Sequence, residues 1–242
     1  MVDNEEKFIS GIHNYCDRWC ERCTFTARCR VAEMEAETTD EERDINNEAF
    51  WRRLTANFAE AKQMLQEMAE ELDIDLNAVS DQEFTEHRNR QNKIIRNENL
   101  TKLAEKYWKD ARQILEEKDS WLIFSPLDEE AQNEMLSIIY WYQFFISAKV
   151  QRGFSGILDF DGNLEEEELT DTQSDANGSV KIALIAVERS IMAWSALMTN
   201  ENHAKIKPFI ALLEKIRREC EEKFPNARDF IRPGFDELET IM

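Results

Sequence analysis

The chain has 242 residues, which is enough to bury a sizeable core, and 42% of them are apolar, which excludes global disorder. Six glycines and four prolines are too few for the turns of a sandwich, a barrel or a doubly wound sheet. The formal net charge of −20 disfavours binding to nucleic acid or to an anionic membrane surface. We therefore predict an all-α protein, a bundle of about six or seven helices.

The sequence contains no segment that we expect to target or anchor the chain in a membrane. Residues 1–8 are acidic and have no apolar core, so we expect no secretory signal and a cytoplasmic location. Two helices are strongly apolar, but Lys149 interrupts the first and Arg189 the second, so we expect core helices rather than membrane spans. The cytoplasm is reducing, and clustered cysteines there favour a metal over disulfides.

The N-terminal segment combines an apolar stripe with cysteines. One stripe at helical spacing contains Ile9, Ile12, Cys16, Cys20 and Cys23, which predicts a first helix. We expect residues 1–36 to form this helix and a metal site, and residues 37–242 to pack as one helical domain.

The middle of the chain has clear helix-start signals. Thr39 with Glu42, and Ser80 with Glu83, form capping-box patterns. The first predicts a long helix with apolar residues spaced alternately three and four apart, as expected of a helix packed nearly antiparallel against neighbours. Those residues are Trp51, Leu54, Phe58, Ala61, Leu65, Met68 and Leu72. The second predicts a helix that runs to Glu117.

The last third of the chain should supply the centre of the bundle. Ser125-Pro126 predicts a helix start, and residues 135–150 are apolar nearly all round. We expect residues 153–178 to form an acidic irregular loop, and residues 180–198 to form a second central helix. A final amphipathic helix carries Cys220 on its apolar stripe, where we expect core packing.

The strongest motif is C-x3-C-x2-C-x5-C, formed by Cys16, Cys20, Cys23 and Cys29 within fourteen residues. Thiolates about one helical turn apart can converge on one centre, and the longer gap allows Cys29 to return as a fourth ligand. We therefore predict a metal site with these four ligands. Two other interpretations are buried core cysteines and a thiol–disulfide role for the Cys20–Cys23 pair.

The spacing favours an iron–sulfur cluster over zinc. Structural zinc usually uses two separated C-x2-C pairs, and only one is present here. Cys20, Cys23 and Cys29, with Phe25 two residues after the second, resemble half of the [4Fe–4S] motif of RecB-like nucleases. That resemblance implies a cluster but no nuclease activity, because the α/β nuclease core is missing from the predicted fold. The first three cysteines also match the radical-SAM spacing, but the strands and glycine-rich segment of that family are missing too.

The segment YCDRWCERC resembles a signature of a group of bacterial hypothetical proteins with no known function. The resemblance extends to the Trp141-Tyr142-Gln143 helix and to the helix start at Asp175-x-x-Gly178. We expect a structural or redox-sensing [4Fe–4S] protein that binds a protein partner, with zinc as the alternative metal.

Two other functions stay open. One is a redox enzyme with a buried polar pocket between the central helices, near Glu188 and Arg189, for which Lys149 and Arg152 are expected ion-pair partners. The other is a zinc-stapled acidic interaction protein. The sequence identifies no catalytic residue, and it determines neither whether the protein is an enzyme nor its oligomeric state.

Overall fold

The structure, a computed structural model, describes residues 7–76, 80–159 and 162–236, and these residues form an all-α fold. The helices are α1 (Arg30–Ala36), α2 (Asp40–Arg43), α3 (Glu48–Glu71), α4 (Asp81–Asn97), α5 (Asn99–Glu116), α6 (Asp119–Leu122), α7 (Glu129–Gly156), α8 (Glu166–Thr170), α9 (Asp175–Leu197) and α10 (His203–Lys223). In the described ranges, extended pairing is limited to one isolated bridge between Leu158 and Leu164. No described helix is both long enough and apolar enough to cross a membrane.

The chain divides into two compact units. The N-terminal unit comprises residues 1–13 and 18–86, and the C-terminal unit comprises residues 14–17 and 87–242. Neither unit ends at residue 36, the boundary predicted between the cysteine-rich segment and the helical domain. The short segment 14–17 belongs to the C-terminal unit although both of its flanks belong to the other unit.

The core of the C-terminal unit is built on the pair α7 and α9, with α5 and α10 packed around it. Trp194 is fully buried and stacks on Phe209, and its indole N–H donates to the hydroxyl of Tyr107 at 3.1 Å. The stripe of α10 is buried as predicted, including Cys220. Burial raises the pKa of the Cys220 thiol to about 12, so this side chain behaves as a small apolar group.

Close approach of α7 and α9 explains why the acidic loop is shorter than predicted. A Cβ at Gly153 would lie 2.4 Å from Val180 Cγ2, and one at Gly156 would lie 3.2 Å from the Ala176 backbone. These glycines lie within α7, and the absence of side chains there allows α9 to approach closely. Helix α9 starts at Asp175, capped by Ser174, so the connection spans residues 157–174 and itself contains α8.

Two other helix predictions need correction. The helix expected to run to Glu117 is broken at Glu98, which separates α4 from α5. The start predicted at Ser125-Pro126 occurs three residues later, where the Asp128 side chain accepts the Ala131 N–H at 2.9 Å. The Asp128 carboxylate thus satisfies one of the backbone N–H groups in the first turn, which have no partner within the helix.

The N-terminal unit differs most from its prediction. The capping box at Thr39 and Glu42 is present, but it starts only the four-residue α2, and Asn47 caps α3 separately. Residues 7–29 form three short 3-10 turns at 12–14, 20–22 and 26–28, so the predicted first helix is wrong. Among the described residues of this unit, only Ile12 and Ala69 are buried. The apolar seam of α3, predicted to pack, is mostly exposed.

Candidate metal centre

The four clustered cysteines lie outside regular helix. Cys20 opens the 3-10 turn Cys20–Arg22 and Cys23 follows it, while Cys29 separates the turn Thr26–Arg28 from α1. None of these four cysteines is in a disulfide and all four are partly exposed, whereas Cys220 is buried. The interpretation of Cys16, Cys20, Cys23 and Cys29 as core cysteines is therefore wrong, and that of Cys220 as a core residue is confirmed.

The Cys20–Cys23 turn points a backbone donor at sulfur. The Cys23 N–H donates to the Cys20 carbonyl at 3.1 Å, which closes the turn, and the Phe25 N–H donates to Cys23 Sγ at 3.4 Å. A hydrogen bond from an amide to sulfur stabilises a thiolate and tunes a bound metal. Cys20 also lines an open groove of about 610 Å³.

Aromatic and cationic groups accompany the same turn. The Arg22 guanidinium lies 3.8 Å from the centre of the Trp19 ring, a cation–π geometry. The Ile9 N–H donates to the Arg28 carbonyl at 3.0 Å and so ties the start of the segment to its end. In the described ranges, no group of three or more His, Cys, Asp and Glu side chains is already arranged to hold a metal ion.

Cys16 belongs to the C-terminal unit, where its two neighbours in sequence are bound to α7 and α9. The Tyr15 hydroxyl donates to Asp175 Oδ1 at 3.1 Å, and Arg152 donates to both oxygens of the same carboxylate at 2.8 and 3.0 Å. The Tyr15 ring packs on Phe230, with 4.5 Å between ring centres. A Cβ at Gly178 would lie 2.5 Å from Tyr15 Cε1, so only glycine leaves room for this ring.

On the other side of Cys16, Asp17 makes a second set of contacts. Asp17 Oδ2 accepts from the Tyr142 hydroxyl and from Arg189, each at 2.6 Å. The Asp17 carbonyl accepts the indole N–H of Trp141 at 2.8 Å, and Lys149 donates to the Asn14 carbonyl at 3.0 Å. We call these contacts of Asn14, Tyr15 and Asp17 with α7 and α9 the helix anchor. Five side chains from two helices, Trp141, Tyr142, Lys149, Asp175 and Arg189, thus hold a segment of four residues.

The protonation states of Tyr15, Tyr142 and Asp175 match the hydrogen bonds that these residues make in the helix anchor. Burial, followed by the hydrogen bond to Asp17, raises the pKa of Tyr142, and burial with the charge of Asp175 raises that of Tyr15. Burial alone would raise the pKa of Asp175, but the hydrogen bond and charge of Arg152 outweigh it and hold that pKa below the ordinary 3.8. Both phenols therefore stay protonated donors at neutral pH, and Asp175 stays an ionised acceptor.

The predicted polar pocket between the central helices has a different arrangement from the one expected. Arg189 and Lys149 bind the Asn14–Asp17 segment, and Arg152 binds Asp175. Glu188 pairs instead with Arg228, at 2.7 Å, so its expected partners were wrong. Half-exposed pairs of this kind contribute little stability by themselves, and their geometry mainly orients the residues that they hold.

The contacts of Tyr15 and Asp17 with α7 and α9 were not predicted from the sequence, although a signal was present. Tyr15 and Asp17 flank Cys16 in the YCDRWCERC segment, and the two other parts of the resemblance, at Trp141-Tyr142 and at Asp175-x-x-Gly178, are the parts that bind them. Comparison with protein-family models, with curated proteins and with solved structures returned no match.

Proposed function

We propose that Cys16, Cys20, Cys23 and Cys29 bind a metal centre, a [4Fe–4S] cluster in preference to zinc, with a structural or redox-sensing role. The observation that carries this proposal is a set of four partly exposed cysteines within fourteen residues, none of them in a disulfide. Core cysteines would be buried, as Cys220 is. Four converging thiolates would satisfy the coordination of either metal.

The weak core of the N-terminal unit supports the same proposal. Its described residues bury only Ile12 and Ala69, too little apolar surface to offset the conformational entropy of ordering the chain. Small folds with so little core usually rely on a metal, a disulfide or oligomerisation. A metal site that is incomplete before binding is also common, because binding then contributes directly to folding. We therefore expect the cysteines to converge when the metal binds.

The surroundings of the thiols favour iron–sulfur. The amide hydrogen bond to Cys23 Sγ, together with Trp19 and Phe25 beside the turn, provides the donors and the apolar screening that set the stability and potential of such clusters. Arg18, Arg22, Arg28 and Arg30 outnumber the acidic residues of the same stretch, in a protein with a net charge of −20. Cations offset the charge of four thiolates.

The helix anchor supports a sensing or scaffolding role. Cys16 lies between Tyr15 and Asp17, and both neighbours are bound to α7 or α9. A change in the ligation of Cys16 would therefore act directly on contacts made with the two central helices. Because Arg189 and Tyr142 bind Asp17, these groups are engaged in holding the segment, which favours this role over catalysis in a pocket there.

Reconstitution under anaerobic conditions tests the proposal. Wild type, Cys29→Ser and the matched control Cys220→Ser are treated with iron and sulfide, and iron, sulfide and protein are measured after desalting. We expect about four irons per chain in wild type and in Cys220→Ser, and a large loss in Cys29→Ser. Equal iron content in the two variants would contradict the assignment of ligands.

Hydrogen exchange tests the proposed role. Wild type is compared with its cluster oxidised, reduced and removed by a chelator, and amide exchange is followed along the chain. If the site acts through the helix anchor, removal of the metal or a redox change should speed exchange in the first turns of α9 and leave α5 unchanged. Identical exchange of α9 in all three states would contradict a sensing role.

A further inference from the structure

Helix α3 carries a regular apolar seam that is open to solvent. Five of its six large seam residues, Trp51, Phe58, Leu65, Met68 and Leu72, are more than half exposed, Phe58 at 68% and Leu65 at 60%, and the sixth, Leu54, is partly exposed. Residues 55–68 are exposed on every face of the helix. Soluble proteins rarely leave a continuous apolar stripe of this length uncovered unless it is an interaction surface.

The spacing of the seam identifies the kind of surface that covers it. Steps of three and four alternate without a break from Trp51 to Leu72, which is a repeat of 3.5 residues over three heptads. A helix that packs on a globular core has a broader apolar face, whereas a strict two-position seam fits one other helix of the same repeat. With 24 residues, α3 is about 36 Å long, enough for a stable two-helix contact.

The charges of α3 fit an antiparallel copy of itself. Its first half contains Arg52 and Arg53 against Glu48, and is net positive. Its second half contains Lys62 against four glutamates, Glu60, Glu67, Glu70 and Glu71, and is net negative. An antiparallel pair places each positive half beside a negative half, while a parallel pair would set like charges together.

The sizes of the seam side chains fit the same arrangement. One antiparallel register places Phe58 of each copy beside Ala61 of the other, and Leu54 of each copy beside Leu65 of the other. The largest central side chain then lies against the smallest, as interdigitated packing requires. We propose that the protein is a homodimer in which α3 of one copy pairs with α3 of a second copy, antiparallel and through this seam.

The solution mass of seam variants tests the dimer. Full-length wild type, Leu65→Glu and the control Ala56→Glu are measured by light scattering after size exclusion, over a range of concentrations. Ala56 lies on the face of α3 opposite the seam, so both variants add one carboxylate to the same helix. We expect twice the chain mass for wild type and Ala56→Glu. For Leu65→Glu we expect association at least about tenfold weaker, because the new charge would be buried in the interface.

A milder variant is used if circular dichroism shows that Leu65→Glu has lost helix. Phe58→Ala introduces a strong helix former and removes the central packing, so it should also weaken association. The proposal is overturned if wild type is a monomer at all concentrations, or if both seam variants remain dimers. Either result would mean that the seam contacts something other than a second copy.

Charge reversal tests the orientation. Arg52→Glu makes the first half of α3 acidic, so an antiparallel pair should weaken, while the added glutamate favours the start of an isolated helix. Adding Glu67→Lys in the same chain should restore part of the association, since positions 52 and 67 lie side by side in this register and then again carry opposite charges. No weakening by Arg52→Glu, or no recovery in the double variant, would contradict the antiparallel arrangement. All of these masses are measured with and without chelator, so that an effect of the seam can be distinguished from an effect of the metal.

Discussion

Gly178→Ala should destabilise the protein by disturbing the helix anchor. The added methyl would lie 2.5 Å from Tyr15 Cε1 and 2.7 Å from Phe230 Cζ, so both rings must move. Overpacking of this kind costs about 1–3 kcal/mol. Displacement of Tyr15 would also remove its hydrogen bond to the Asp175 carboxylate, about 1.5–3 kcal/mol. Replacing a helical glycine returns about 1 kcal/mol. We expect a net loss of roughly 2–4 kcal/mol.

Gly153→Ala is the matched control for this change. Its methyl would lie 2.4 Å from Val180 Cγ2, so it crowds the same pair of helices without touching Tyr15. Urea unfolding gives the stability of both variants, and metal analysis gives the occupancy of the site. We expect both to be destabilised, but only Gly178→Ala to lose metal, because only it disturbs the neighbour of Cys16. Equal metal retention in the two variants would refute the reasoning.

Three further predictions concern single side chains. Arg189→Leu leaves Asp17 without its cationic partner, and, because both side chains are partly exposed, urea unfolding should show a loss of only about 0.5–1 kcal/mol; no loss would remove Arg189 from the helix anchor. In the native protein at pH 8, Cys220 should resist alkylation detected by mass spectrometry, since burial raises the pKa of its thiol to about 12, while chelation should expose the other four thiols; rapid labelling of Cys220 would contradict its burial. The pKa of Asp175 in the folded state is below its ordinary 3.8, so its contribution to stability should be complete above about pH 4 and lost as the pH falls through the folded value; Asp175→Asn should flatten that part of the curve of stability against pH, and an unchanged curve would contradict it.

The fold class and several local signals could be predicted from the sequence, because they depend on neighbouring residues alone. The capping box at Thr39 and Glu42 is formed, and the stripe of α10 is buried. The glycines at 153 and 156 were misread as the start of a loop, since their role depends on how closely α9 approaches α7. A contact between residues far apart in sequence leaves no periodic pattern.

The residues of the candidate site were predicted from the sequence, but their local backbone structure was not. The periodicity of Ile9, Ile12 and Cys16 matched a helix, yet residues 7–29 form short 3-10 turns. Amphipathic spacing favours a helix only when a core is available for its apolar face, and the N-terminal unit buries almost nothing. The roles of Tyr15 and Asp17 depend on partners more than a hundred residues away, and spacing along the chain cannot locate such partners.

The central claim is that Cys16, Cys20, Cys23 and Cys29 bind an iron–sulfur cluster, and anaerobic purification followed by metal and sulfide analysis tests it most directly. We predict a brown protein that absorbs near 400 nm and contains about four irons and four sulfides per chain. A colourless protein with one zinc per chain would replace the cluster by a structural zinc site. A protein with no metal and four free thiols would contradict the claim.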